Sequence, residues 1–295
     1  MVTIASLTLL YFLFGSIIGS FLSVCAYRIP MGKYEPIHEG VKELNRTLSI
    51  VSPARSFCPQ CEQTLAWWHN IPLVSWLLLR GRCGHCGAKI PFRYFFIELV
   101  TGTLCALTFL RFGPSATGLV AFVFICLFVV ITFIDIDYMI IPDVITYPAT
   151  ALGLVIGIVN RFSPTPPLGY PFVSSPWESL YGLLMGPGLL ISVWWLYLKI
   201  RKREGLGLGD VKFLAVVGAT FGMESSWFTI FFGSILGSII ALGALIARRS
   251  SFGSYFPFGP YLVVAAIAYI FDVHLLIGRL LNPTVPLTWW IASQL

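Results

Sequence analysis

"ATGLVAFVFICLFVVITFIDIDYMIIPDVIT", residues 116–146, decides what kind of protein this is. Residues 116–134 carry no charge and no proline, and an apolar helix of about 20 residues is what crosses the hydrocarbon core of a bilayer. Three of the chain's aspartates, Asp135, Asp137 and Asp143, then follow in quick succession. An ionised carboxylate is costly at bilayer depth, so acids placed where an apolar run stops mark both a membrane boundary and a possible site of chemistry. The stretch reads as a membrane span over 116–134 that ends on an acidic face.

The rest of the chain agrees. Of 295 residues, 57% are hydrophobic and 11% are charged, against roughly 25% charged in soluble domains. Apolar segments fall at about 3–27, 95–112, 116–134, 144–160, 179–198, 211–222, 227–247 and 257–277. The expected fold is therefore an all-α polytopic membrane protein of about eight transmembrane helices. The sixth segment is short by itself and reaches spanning length only if Asp210 and Lys212 lie at the interface. Small residues in "FGSILGS" (232–238) suit close helix packing. No fixed-period repeat is visible.

Charge sets the expected orientation. No basic residue precedes the first segment and Arg28 follows it, which argues against a cleavable signal peptide and for an N-terminus outside. Alternating the spans then places residues 28–94, 135–143, 199–210 and 248–256 inside, with most of the lysines and arginines. Arg111, Arg161 and Arg279 fall outside, and the C-terminus returns outside. The net charge of +6 thus reads as membrane orientation, with a lipid bilayer as partner and no nucleic acid. The Pro- and Ser-rich stretch 161–177 reads as an outside loop, and Trp289 and Trp290 suit an interfacial belt. The expected organisation is a first transmembrane helix (1–27), a cytoplasmic four-cysteine module (28–94) and a membrane-embedded helical domain (95–295).

Within the module, "CPQC" (58–61) and "CGHC" (83–86) place Cys58, Cys61, Cys83 and Cys86 as two C-x2-C pairs. Two such hairpins enclose one tetrahedral zinc, a closed structural site with no open position for water. A cytosolic setting disfavours stable disulfides, and a module this small would draw folding free energy from the metal. A redox dithiol is the alternative. His69 and His85 read as bystanders, and Cys25, Cys105 and Cys126 as small apolar residues of the spans.

The fourth aspartate on the inner side is Asp210, in "GLGLGDVK" (205–212). Gly205, Gly207 and Gly209 with Asp210 are either a helix-start loop and its cap or a backbone bared for close approach. Asp210 shares its expected depth with the acids at the end of the third span. Carboxyl groups about 3 Å apart share a proton, so one activates water while the other, protonated, polarises a scissile carbonyl. The alternatives are helix caps or proton-binding acids of a transporter. The four histidines, His38, His69, His85 and His274, are scattered and form no nucleophile–base set.

These residues are similar to a known family. "GSFLSVCAYRIP" (19–30), the cysteine segment 56–90, "RYFFIELVTG" (93–102), "IDIDYMIIPDVIT" (134–146) and "GLGLGDVK" run in its order. The chain resembles the bacterial type IV prepilin peptidases, bifunctional leader peptidases and N-methyltransferases of the GxGD aspartic-protease group. The resemblance implies that Asp135 and Asp210 are the catalytic pair, with Asp137 the rival for the first position. Asp143 would be a helix-start carboxylate that orients the site, and Lys212 a partner for a carboxylate. It implies zinc, prepilin and type II secretion pseudopilin substrates, a bacterial inner membrane with periplasmic termini, and cleavage at the cytoplasmic boundary. It further implies methylation of the new N-terminal amine with S-adenosylmethionine, supported by the cysteine module. No Gly-rich cofactor loop is visible, and Glu98 is either a polar contact for the donor or a helix-end carboxylate favoured by the dipole. An insertion around 32–46 departs from the family pattern.

Overall fold

The computed structural model describes residues 4–31, 33–34, 49–50, 52–53, 55–163, 165–202, 207–247 and 257–281. Most of the 32–46 insertion and the tryptophan-bearing tail lie outside the described residues. Helices are α1 (Ile4–Arg28), α2 (Val74–Leu78), α3 (Phe92–Phe112), α4 (Ala116–Tyr138), α5 (Asp143–Phe162), α6 (Pro176–Arg201), α7 (Leu208–Ile246), α8 (Gly259–Ile270) and α9 (Val273–Leu281). Among the described residues, α1, α3, α4, α5, α6 and α7 are long and apolar enough to cross a membrane. The chain divides into two compact units, residues 1–142 and 143–295.

In the first unit, α1 and α3 pack through small residues. A side chain at Gly15 would fall 2.4 Å from the Cys105 Cβ, and one at Gly102 would fall 2.3 Å from the Ser16 Oγ. Such contacts let backbones approach where lipid supplies no hydrophobic drive between helices. Phe124, Ile125, Phe128, Ile131 and Ile134 of α4 are fully buried. Ser115 caps α4 by accepting the Gly118 N–H at 3.1 Å. The helix ends at Met139, in the left-handed region, whose N–H returns to the Asp135 carbonyl at 2.9 Å. The span therefore runs past its expected end at 134, and Asp135 and Asp137 ride on its last turn.

In the second unit, α7 spans 39 residues but is not one rod. Gly222 has φ 84° and ψ −175°, a conformation essentially confined to glycine. Across it, the Ser225 hydroxyl donates to the Val217 carbonyl at 3.4 Å. Residues eight apart in a straight helix stand about 12 Å apart along the axis, so the chain doubles back at Gly222. The legs 208–221 and 223–246 are the expected sixth and seventh spans. On α6, Gly182 touches the first leg directly: a Cβ there would lie 2.1 Å from the Gly218 carbonyl oxygen. Ser179 donates to the Ala219 carbonyl at 2.5 Å. The expected eighth span is broken at Phe271 and Asp272 into α8 and α9, with Asp272 at φ 61°.

Candidate active site and metal centre

The cysteine module is built from two matching knuckles. In the first, the Cys58 N–H bonds the Gln63 carbonyl at 3.0 Å and the Glu62 N–H bonds the Cys58 carbonyl at 2.8 Å. In the second, Cys83 bonds Ala88 at 2.8 Å and Gly87 bonds Cys83 at 2.9 Å in the same pattern. The equivalent fourth positions, Glu62 and Gly87, both take positive φ, 56° and 70°. Bridges Phe57–Thr64 and Arg82–Lys89 close the bases of the two hairpins.

This repetition gathers the four sulfurs within 4.8 Å of one another. Zn–S bonds of about 2.3 Å at tetrahedral angles put sulfurs about 3.8 Å apart, and the Cys58 and Cys86 Sγ atoms are 3.9 Å apart. The four-cysteine set fits a metal such as zinc. The thiols' own chemistry points the same way. Burial pushes the Cys58 thiol up. Burial also opposes ionisation of Cys83, but the N–H groups of Cys86 and His85 and the neighbouring sulfurs outweigh it and bring that thiol down to about 7. The Cys83 thiolate thus forms readily while burial holds the proton on Cys58, and a bound dication is what would ionise the whole set. His69 and His85 lie edge to face at 5.8 Å, outside the sulfur set.

The first unit also carries the acids of α4. Asp135 is buried, 5% exposed, and so is Asp137. Arg93, in the first turn of α3, forms an ion pair with the Asp137 Oδ2 and lies over the Phe133 ring at 5.9 Å. The second unit carries the others. Asp210 sits in the first turn of α7, where the helix dipole favours a carboxylate; its N–H reaches back to the Gly207 carbonyl at 3.2 Å and its side chain is 7% exposed. Asp143 opens α5, and its Oδ1 accepts from the Lys212 Nζ at 2.5 Å. That ammonium also lies 5.7 Å from the Tyr147 ring centre. The N-terminal ends of α5 and of the first leg of α7 are therefore tied together, with Asp210 between the glycines and Lys212.

Sequence comparison shows which family the chain is similar to. Residues 13–112 match the bacterial peptidase A24 N-terminal domain, and residues 122–242 match the type IV leader peptidase family. A prepilin leader peptidase/N-methyltransferase of Aeromonas hydrophila is 33% identical, over 87% of this chain and 87% of its own length. Proteins of the same description from Xanthomonas campestris (33% identical; 87% and 88% covered) and Neisseria gonorrhoeae (32%; 94% and 92%) are similar too. The chain belongs to the type IV leader peptidase family. No solved structure matches it. This leader peptidase is thus a multi-pass membrane protease.

Two features of the peptidase escape a reading of the sequence. The Arg93–Asp137 pair joins residues 44 apart on different helices, and no local pattern signals it. Leu73, at φ 62°, directs its N–H to the Glu98 Oε2 at 2.7 Å. Glu98 is buried, at 9% exposure.

Proposed function

We propose that this leader peptidase removes the basic leader of type IV prepilins and type II secretion pseudopilins, using Asp135 and Asp210 as a proton-sharing pair. One carboxylate takes a proton from water as it attacks the scissile carbonyl, while the other, protonated, donates to the developing oxyanion; on collapse the first passes its proton to the leaving amine and the second takes its own back from the diol hydroxyl. The observation that carries the reading is that Asp137, the rival on α4, is held by the Arg93 guanidinium. An acid whose oxygen is committed to a guanidinium on the neighbouring helix is less available to meet a second carboxyl group. Asp135 and Asp210 both sit within a turn of a helix end. That position suits a boundary protease better than a transporter, whose acids lie near the bilayer midplane.

The enzyme is also an N-methyltransferase acting on the new N-terminal residue. S-adenosylmethionine supplies the methyl group as an electrophile on a sulfonium centre. Zinc closes the cysteine module, residues 28–94 form the cytoplasmic part, and 95–295 the catalytic helices. The protein resides in the bacterial inner membrane with both termini periplasmic, which matches the excess of Lys and Arg on the module's side. Leader removal from a purified prepilin in detergent, with Asp135→Asn and Asp210→Asn beside the parent, tests the pair. Near-parental turnover in either variant would discard it.

A further inference from the structure

A cavity of about 280 Å3 lies inside the first unit, between the C-terminal turns of α1, the cysteine module and the first turns of α3. Small-molecule pockets begin at roughly this size, near 300 Å3. None of the aspartates lines it, so it is separate from the acids assigned to peptide cleavage. We infer that this cavity is where the enzyme binds its sulfonium methyl donor. The inference rests on the methyltransferase reading and adds to it a place and the residues that make it.

The wall chemistry matches the donor part by part. Glu98 is the one acid in the lining and is 9% exposed. The Leu73 N–H and the Ser20 hydroxyl donate to it. A carboxyl group has more acceptor sites than these two donors fill, so Glu98 keeps capacity for a ligand's ammonium or ribose hydroxyls. Tyr27, Trp76 and Tyr94 supply aromatic faces, which suit both an adenine ring and a cation. Trp76 is fixed in place: its Nε1–H donates to the Ile90 carbonyl at 3.3 Å, and its ring meets those of Phe92 and Phe95 at 5.6 and 5.2 Å. Lys89 supplies an ammonium for the donor's carboxylate.

Backbone geometry singles out the same spot. The Val74 N–H bonds the Pro72 carbonyl at 2.6 Å around Leu73 at φ 62°, which is a γ-turn of the rare, strained kind. It aims the Leu73 N–H at Glu98. Strain of this sort persists where the surrounding structure over-determines it, and it gathers at ligand sites. Cys58 and Cys83 also line the cavity, so folding of the metal centre completes its wall.

The test uses the full chain, purified in detergent with its zinc. Equilibrium binding of radiolabelled S-adenosylmethionine, competed with S-adenosylhomocysteine, is followed by ultraviolet cross-linking and peptide mapping. The expected label falls in residues 20–28 or 69–98. Val24→Trp, which fills the cavity from α1, abolishes saturable binding, and Glu98→Gln weakens it tenfold or more, each with zinc content retained. Label confined to residues 143–281, or donor binding at parental affinity in both variants, overturns the cavity assignment and leaves the methyltransferase reading standing. A zinc-loaded parent protein that binds no donor overturns both.

Discussion

Arg93 on α3 and Asp137 on α4 form an ion pair at the end of the first unit that adjoins the cysteine module. The pair sets Asp137 apart from Asp135, for which we propose a different task. Asp137 is engaged by a guanidinium; Asp135, two residues back on the helix, is the acid proposed for proton transfer.

Asp135→Asn and Asp210→Asn should each lower the rate of leader removal by about 10²–10⁴-fold, the usual worth of a positioned general acid or base. Asp137→Asn should stay within about tenfold of the parent. Single-turnover cleavage of a prepilin in detergent measures all three. A folded Asp137→Asn enzyme as slow as Asp135→Asn would transfer the role to Asp137.

Breaking the ion pair from the cationic side should be costly. Arg93→Gln leaves a carboxylate with 11% side-chain exposure facing a neutral amide. The expected loss is about 1–3 kcal/mol, read as a shorter half-life on heating because large membrane enzymes unfold irreversibly. Adding Asp137→Asn should restore part of that loss, since the pair then lacks both charges. Additive damage in the double variant would show that the two side chains act independently.

Cys58→Ser should lower bound zinc and destabilise the module, because metal binding there doubles as folding free energy. Retention should also depend on pH. The Cys83 thiol is depressed to about 7, so its thiolate-dependent contribution is complete well above that value and is lost as pH falls through it. Zinc should therefore be kept at pH 8 and released on acidification below about 7, with the metal itself moving the midpoint lower. A chromogenic chelator in a pH series reads the release. Release that instead grew on the alkaline side would contradict thiolate ligation.

Gly222→Ala should destabilise by about 1–3 kcal/mol, since φ 84° with ψ −175° is closed to residues bearing a Cβ. Gly182→Val should do more damage, because its side chain would have to enter the Gly218 carbonyl. Thermal half-life in one detergent compares the two. A Gly182→Val protein as durable as the parent would refute the backbone contact between α6 and α7.

Much of this was legible before any coordinates. Hydropathy found the spans because an unbroken apolar run has few other uses, and C-x2-C spacing found the metal set because each knuckle is local. Legibility failed where distance along the chain was large or backbone conformation mattered. Nothing near Arg93 announces Asp137. Nothing in "NIPLVSW" (70–76) announces a γ-turn at Leu73. The break between the sixth and seventh spans was expected after 222, but nothing marked Gly222 itself, with its positive φ, as the residue that makes it. The break at Asp272 inside the last apolar segment was equally silent, since the flanking residues keep the hydropathy high.

The reversal at Gly222 leaves only residues 208–221 for the leg that begins beside Asp210. At 1.5 Å per residue that leg is about 21 Å long, some 9 Å short of a typical hydrocarbon core. Phe213, Leu214, Val216, Val217 and Ala219 on that leg are fully buried, so protein rather than lipid surrounds it, and its non-helical end at Gly222 is sheltered as irregular backbone at membrane depth must be. A short leg wrapped by neighbouring helices need not match the bilayer in length, so the packing of the second unit, and not membrane thickness, fixes where the carboxylate at its head sits.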